Sequence, residues 1–489
     1  MTISTTTSGR WRDRRLGAKL LTVTITVALA VSASGSALAA APYPSDTSKP
    51  DVIRLLKGYN GFWVSNGRND LHGAVRNAKV LSRDDRLVVW VNRHATAQQR
   101  FKALQDSLYD DAGTGYDQSV TVSTGLGSVL GPLYVRGRNS GALPLTSALV
   151  NSSDGTTGAY VSTSDAKAYF SHPRPYLPSN ADATPVPGDA PGCAPAKVNG
   201  SSQKRIRVGK AWADSRGNLL IKRVAPVTDT SRQFSPNPVL LDPGYGTTGL
   251  CTGGSFPSGH TTTAYEAGLT LATLLPELAP ELLARASEAA NNRLVLGVHY
   301  PLDLIGGRID GEAALAARWS DVQYRREVLQ PARVELVRYL QAACKKTVRR
   351  CIAGQASYMS NPYGGQRIPG GTAQIVNNKR SAVRVYRERM TYGFPRIGKL
   401  HRRPSVPSGA GNLLLTAFPT LTPRQRVAVL RQTGIASGYP LDRSRAVGGS
   451  WQRLNLAAAM SARVRVGKHG KVRVVSTGGT AKVIRRSRG

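Results

Sequence analysis

A chain of 489 residues is long enough for two or more domains, and a hydrophobic content of 40% supplies a packed core, which excludes a wholly disordered polymer. The formal net charge of +37 is extreme but unevenly placed. Residues 352–489 hold 25 Lys and Arg against two acidic side chains, Glu388 and Asp442, so the middle of the chain is only moderately basic.

In chain order, residues 1–39 read as an export signal. Arg10, Arg12, Arg14, Arg15 and Lys19 form a basic start, 20–33 is apolar, and Ala37-Leu38-Ala39 fits a cleavage site. Arg14-Arg15 raises a twin-arginine route, although the residues after the pair fit that motif poorly. No later stretch is long and apolar enough to span a membrane, since the best, 264–278, is broken by Glu266 and Pro276. The mature protein is therefore expected to be secreted or held at the cell envelope.

Residues 40–139 mix helical and extended patches and are expected to pack on the core. Within them, 95–110 has helical spacing, with Phe101, Leu104, Leu108 and Tyr109 on one side. Short helices are expected at 146–150 and 163–171, then loop from 173 to 200, then a hairpin in 206–223 around Gly217-Asn218. Residues 261–275, 280–297, 301–319 and 323–345 have helix length and composition. The expected fold is mainly α: a helical-bundle core over 140–345, interrupted by a long, partly β insertion at 176–256. A basic, mixed α/β C-terminal region follows over 346–489. It carries a helix at 422–432 and a hairpin of 462–466 with 471–475, and ends in a frayed 485–488.

Four cysteines, Cys193, Cys251, Cys344 and Cys351, follow the signal. An even count in an exported chain points to two disulfides. Of the three possible pairings, Cys193–Cys251 and Cys344–Cys351 are favoured. Neither spacing resembles a paired zinc-binding motif, so no metal site is expected.

The chemistry concentrates in three stretches. Lys167 and Arg174 precede Pro175; Ser258, Gly259 and His260 follow Pro257; and Arg293, His299 and Asp303 are spaced by five and three residues. Ser258 stands where a capping hydroxyl belongs before a helix, and the free N–H groups of a helix start bind oxyanions. Pro301 suits the first turn of a helix, which places His299 in a junction and Asp303 within reach of it. A carboxylate there fixes the imidazole tautomer and activates the other nitrogen. Arginine offers a planar fork and lysine a point charge for phosphate oxygens.

Taken together, the order, the internal spacings and the string from Gly254 to Thr261 resemble the three-part signature of the type 2 phosphatidic-acid-phosphatase superfamily. The string is similar to that of bacterial class A nonspecific acid phosphatases, with Phe256 for tyrosine. The resemblance implies a phosphatase core over roughly 140–320. It also implies His299 as nucleophile, Asp303 as its orienting partner, and His260 as general acid and then base. Lys167, Arg174, Arg293, Ser258 and Gly259 would hold the phosphate. No metal cofactor is implied, and vanadate is expected as an inhibitor. Related vanadium haloperoxidases make vanadate a cofactor on the same scaffold, which is the alternative reading. Asn292 stands where the signature has serine, and the 81 residues between Pro175 and Pro257 exceed the usual spacing. The basic 352–489 region is expected to bind a polyanion, such as a cell-wall polymer, nucleic acid or anionic lipid. Two later fragments echo the motifs without their histidines: Ser408-Gly409 is followed by Ala410, and Gly438 precedes Tyr439 and Asp442. Both read as turns.

Overall fold

The computed structural model describes residues 43–107, 117–444 and 449–484. The export signal, Leu108 and Tyr109 of the first helical face, and the 485–488 end lie outside the described residues.

The longer helices are α1 (Ala78–His94), α2 (Ala97–Gln105), α3 (Leu130–Asn139), α4 (Pro144–Val150), α5 (Ser164–Phe170), α6 (Gly259–Leu274), α7 (Ala279–Val295), α8 (Pro301–Ser320), α9 (Gln330–Cys344), α10 (Lys379–Arg389) and α11 (Pro423–Thr433). Short antiparallel pairs join β1 (Trp63–Ser65) to β2 (Gly73–Val75) and β3 (Val227–Asp229) to β4 (Val239–Leu241). A three-stranded sheet has β5 (Arg463–Val466) at its centre, antiparallel to β6 (Val472–Ser476) and parallel to β7 (Lys482–Ile484).

The helical hairpin of α6 and α7, with α8 against α6, forms the centre of the molecule. Every residue of α7 is buried, and so are all but two of α8. A helix apolar or satisfied all round belongs in a core, not on a surface. Around this centre the buried side chains of α3, α6, α8, α9, α10 and α11 merge into one apolar cluster that runs from Leu126 to Val472. Thus the basic C-terminal region shares its hydrophobic core with the bundle. Arg389 of α10 donates to Gln374 and to Ser287 Oγ of α7, at 2.8 and 3.1 Å, which ties the two regions by buried polar contacts as well.

Differences from the expected elements are local. The segment 206–223 is not a regular hairpin: Lys204–Arg207 is a helical turn, and only an isolated bridge joins Ala213 to Leu219 around the turn at Gly217. The helix expected over 323–345 opens with one α-helical piece, Val322–Tyr324, and passes through a π-helical turn, Arg325–Leu329, before α9. Both disulfides form in the favoured pairing, Cys193–Cys251 and Cys344–Cys351. The echo at 408–410 lies in a turn with Gly409 at φ +76°, and Asp442 closes its own turn by accepting from Gly438 N at 2.8 Å.

Candidate active site

Each of the three stretches sits at the end of a helix. Lys167 lies in the last turn of α5, and Arg174 follows after Ser171 takes a left-handed conformation, φ +42°. Ser258 caps α6, its Oγ accepting from Thr261 N at 3.2 Å. Arg293 is in the last turn of α7, which Gly297 ends at φ +68°. Asp303 is the third residue of α8. Close approach of these ends is a steric requirement at two glycines. A Cβ on Gly254 would stand 2.5 Å from Lys167 O, and one on Gly307 would stand 2.5 Å from Ser258 O. Neither contact leaves room for any side chain.

His299 is the centre of the cluster. Its Nδ1 faces Asp303 Oδ2 at 3.1 Å and its Nε2 faces Arg174 Nη1 at 3.1 Å. A guanidinium only donates, so Nε2 accepts and the ring proton sits on Nδ1, directed at the carboxylate. Asp303 is held in turn by Tyr300 N at 2.8 Å. Arg174 is itself fixed by the carbonyls of Gly253 and Val298, both at 3.0 Å, and Lys167 Nζ donates to Gly254 O at 3.0 Å. Arg174, Arg293, His299 and Asp303 are buried, whereas Lys167 and His260 are half-buried and mark the side that reaches solvent. His260 Nε2 donates to Ser107 O at 2.8 Å.

The electrostatics express the same convergence. Burial first, and then the charges of Arg174, Lys167 and Arg293, push His299 well below the ordinary histidine value. Burial and Arg293 do the same to His260. Burial and Arg174 lower Lys167, and burial raises Asp303 above the ordinary carboxylate range. Three cations from distant stretches thus act on two imidazoles, in a pocket with a deficit of negative charge. Such a pocket suits a multiply charged oxyanion.

Of the eight residues singled out for phosphate chemistry, Lys167, Ser258, Gly259, His260, Arg293 and Asp303 lie at helix ends, and Arg174 and His299 lie in the junctions beside them. A Cβ on Gly259 would meet only Thr163 Oγ1 at 3.0 Å, and the tighter approaches belong to Gly254 and Gly307. Sequence reasoning missed a second ring of groups. His172, between Lys167 and Arg174, is buried with Nδ1 2.9 Å from Ser255 Oγ. Asp84 of α1 accepts from Leu302 N at 3.0 Å and so caps the helix that carries Asp303. A histidine inside the first motif was the one available signal. Cavities of 860, 840 and 600 Å³ lie elsewhere, beside Lys49 and Trp451, beside Arg326 and Tyr339, and beside Lys102 and Glu288.

Residues 148–327 match the PAP2 superfamily. An acid phosphatase of Zymomonas mobilis is 39% identical over 88 residues, 18% of this chain and 33% of that protein. A non-specific acid phosphatase of Providencia stuartii is 32% identical over 89 residues, 18% of this chain and 36% of that protein. The chain thus spans about a third of the length of the curated relatives it matches.

Proposed function

With a PAP2 superfamily core over residues 148–327, we propose that this chain is an exported acid phosphatase that hydrolyses phosphate monoesters through a phosphohistidine. The observation that carries the reading is the clamp on His299. Asp303 on one nitrogen and Arg174 on the other leave a single nitrogen, Nε2, facing the cationic pocket.

In this scheme the phosphate enters against Lys167, Arg174 and Arg293, with the N-terminal amide of α6 at Gly259; the Ser258 amide, expected to join it, donates instead to Asp303 O at 3.1 Å. These donors hold the equatorial oxygens, where charge develops in the transition state. His299 Nε2 attacks phosphorus, and Asp303 stabilises the ring as it becomes cationic. The bond to the ester oxygen breaks, and His260 delivers a proton to that oxygen. Neutral His260 then takes a proton from water, which attacks the phosphohistidine and releases inorganic phosphate. Positive charge that bound metals supply in other phosphatases comes here from three side chains, so the proposed steps draw on no metal.

The test is release of p-nitrophenol from p-nitrophenyl phosphate, with trapping of a labelled phosphoenzyme at acid pH. His299→Ala is expected to lose both the turnover and the label. Turnover that survives in that variant removes His299 as nucleophile. Vanadate is expected to inhibit competitively; vanadate-dependent halide oxidation would instead favour the haloperoxidase reading.

A further inference from the structure

A chain of hydrogen bonds leads away from Asp303 on the side opposite His299, and its direction can be read from donor chemistry. Arg207 is anchored by Asp85 of α1 through Nε and Nη2, at 3.2 and 3.1 Å, and reaches Tyr300 Oη at 2.7 Å. Its Nη2 also donates to Gln203 Oε1. A guanidinium cannot accept, so the Gln203 oxygen faces Arg207 and its amide nitrogen faces His172 Nε2. His172 Nε2 must then accept, which puts the ring proton on Nδ1, and Nδ1 donates to Ser255 Oγ. Ser255 N also donates to His172 O, at 2.7 Å, so the pair is joined twice. The Ser255 hydroxyl has its own proton left for Asp303 Oδ1, at 3.5 Å the longest link.

We propose that His172, Gln203 and Ser255 are positioning residues, a directed relay that presents a hydroxyl proton to Asp303 and so keeps its other oxygen on His299. The proposal rests on the reading of His299 as nucleophile. The setting fits a permanently neutral ring: His172 is buried, with the edges of Trp63 and Tyr300 at 4.9 and 5.1 Å between ring centres. Burial and Arg207 also push it well below the ordinary histidine value. The relay draws Asp85 from α1 and Gln203 from the insertion, so both flanks of the chain support the catalytic carboxylate.

The groups that act on Asp303 are Lys167 and Arg174 from the first stretch, Tyr300 N and Ser255 by hydrogen bond, His299 across the pair, and Asp84 of α1. The Ser255 bond favours the ionised carboxylate. Removing it raises Asp303 further, so the carboxylate is lost at higher pH as acid is added. Ser255→Ala is therefore expected to lower kcat on p-nitrophenyl phosphate about tenfold with little change in KM. The acid limb of its pH profile should move to higher pH, and Ser255→Thr should restore both. An unmoved acid limb and wild-type kcat in Ser255→Ala overturn the relay. Imidazole 15N NMR of the wild-type protein gives a readout independent of turnover. His172 is expected as the Nδ1–H tautomer, still neutral at pH 5, and an Nε2–H tautomer overturns the proposal. Absence of phosphatase activity in the wild type would count against the proposed function instead, while the tautomer would still decide the relay.

A separate observation concerns the basic region. Arg380, Arg384 and Arg387 follow one face of α10 at steps of four and three residues, about 6 and 4.5 Å along the axis. They are exposed, and they line a cavity of 450 Å³ together with Gln432, Asn455 and Gly478. No acidic or aromatic side chain lines it, and among the described residues none of the three enters an ion pair. Like charges at this spacing repel, which favours an anionic occupant. We infer that the cavity binds the phosphate backbone of a linear polymer, without reading bases.

Because the region shares the bundle's core, the test uses point changes in the full chain. Fluorescent linear polyphosphate is titrated against the Arg380→Gln, Arg384→Gln, Arg387→Gln protein and against a control with the same charge loss at exposed Arg338, Arg349 and Arg350. The expected result is a loss of affinity of tenfold or more, with a shallower salt dependence, only in the first. Equal affinity in the two proteins overturns the inference, as does binding too weak to measure in the wild type.

Discussion

The arginines of the candidate site and those of the C-terminal face have one chemistry and opposite surroundings. Arg174 is buried, with its donors shared among three carbonyls and an imidazole nitrogen. Arg380, Arg384 and Arg387 stand in solvent. Water and salt screen an exposed charge, so it acts as part of a field. A buried one has a fixed direction and a strong local effect, which lets three cations depress two neighbouring imidazoles. The C-terminal region contains both kinds. Arg389 and Arg426 are buried and donate to fixed acceptors, Arg426 to Gly411 O at 3.1 Å and Leu421 O at 2.6 Å. Its excess charge is therefore not all available to a ligand.

The comparison can be broken most sharply at Arg174. Arg174→Ala is expected to cut kcat/KM on p-nitrophenyl phosphate by about 10²–10³-fold, the range for loss of one donor to a developing oxyanion. A loss under tenfold would mean that burial has not made this cation specific. Next comes pH. His260 must be protonated to act as acid, and burial with Arg293 lowers it in the free protein. So kcat/KM should fall as pH rises through a value below the ordinary 6.5, roughly tenfold per unit beyond it. Bound phosphate offsets the cations and raises His260, so the matching limb of kcat should lie at higher pH. Coincident limbs in the two profiles would contradict the electrostatic account.

A smaller effect is expected at Arg389. Arg389→Met leaves its partners Gln374 and Ser287 without donors and should cost about 1–3 kcal/mol by denaturant unfolding, with kcat unchanged. Smallest of all is the triple glutamine change on α10, which should alter stability by no more than about 0.5 kcal/mol and leave kcat/KM intact. A large loss of stability there would place those arginines among the structural ones.

What the sequence made legible follows from the same contrast. The candidate-site residues Lys167, Arg174, His260, Arg293, His299 and Asp303 lie in short strings near helix ends, so their grouping was visible in the sequence. Helices α6, α7 and α8 were readable for a similar reason, with bounds shifted by a residue or two. Helix α1 was not, because Val88-Val89-Trp90-Val91 has the composition of a strand and only burial on α7 and α8 settles it as helix. Nor was β7, whose parallel pairing with β5 depends on a return of the chain that no periodicity encodes. The ring behind Asp303 joins His172, Gln203, Arg207 and Asp85, separated by up to 122 positions. No local pattern records such a meeting.

The bridge between Cys193 and Cys251 ends three positions before Gly254, whose carbonyl receives Lys167. Both ends lie within the 176–256 insertion, which also brings Gln203 to His172. One covalent link thus spans the outer support and the anion-binding turn, closing a loop of 58 residues. Reduction would leave that loop open, and the turn at Gly254 would lose its tether to Cys193. Under the proposed function, reduction of this bridge is expected to lower turnover, because the turn that receives Lys167 is then held by non-covalent contacts alone.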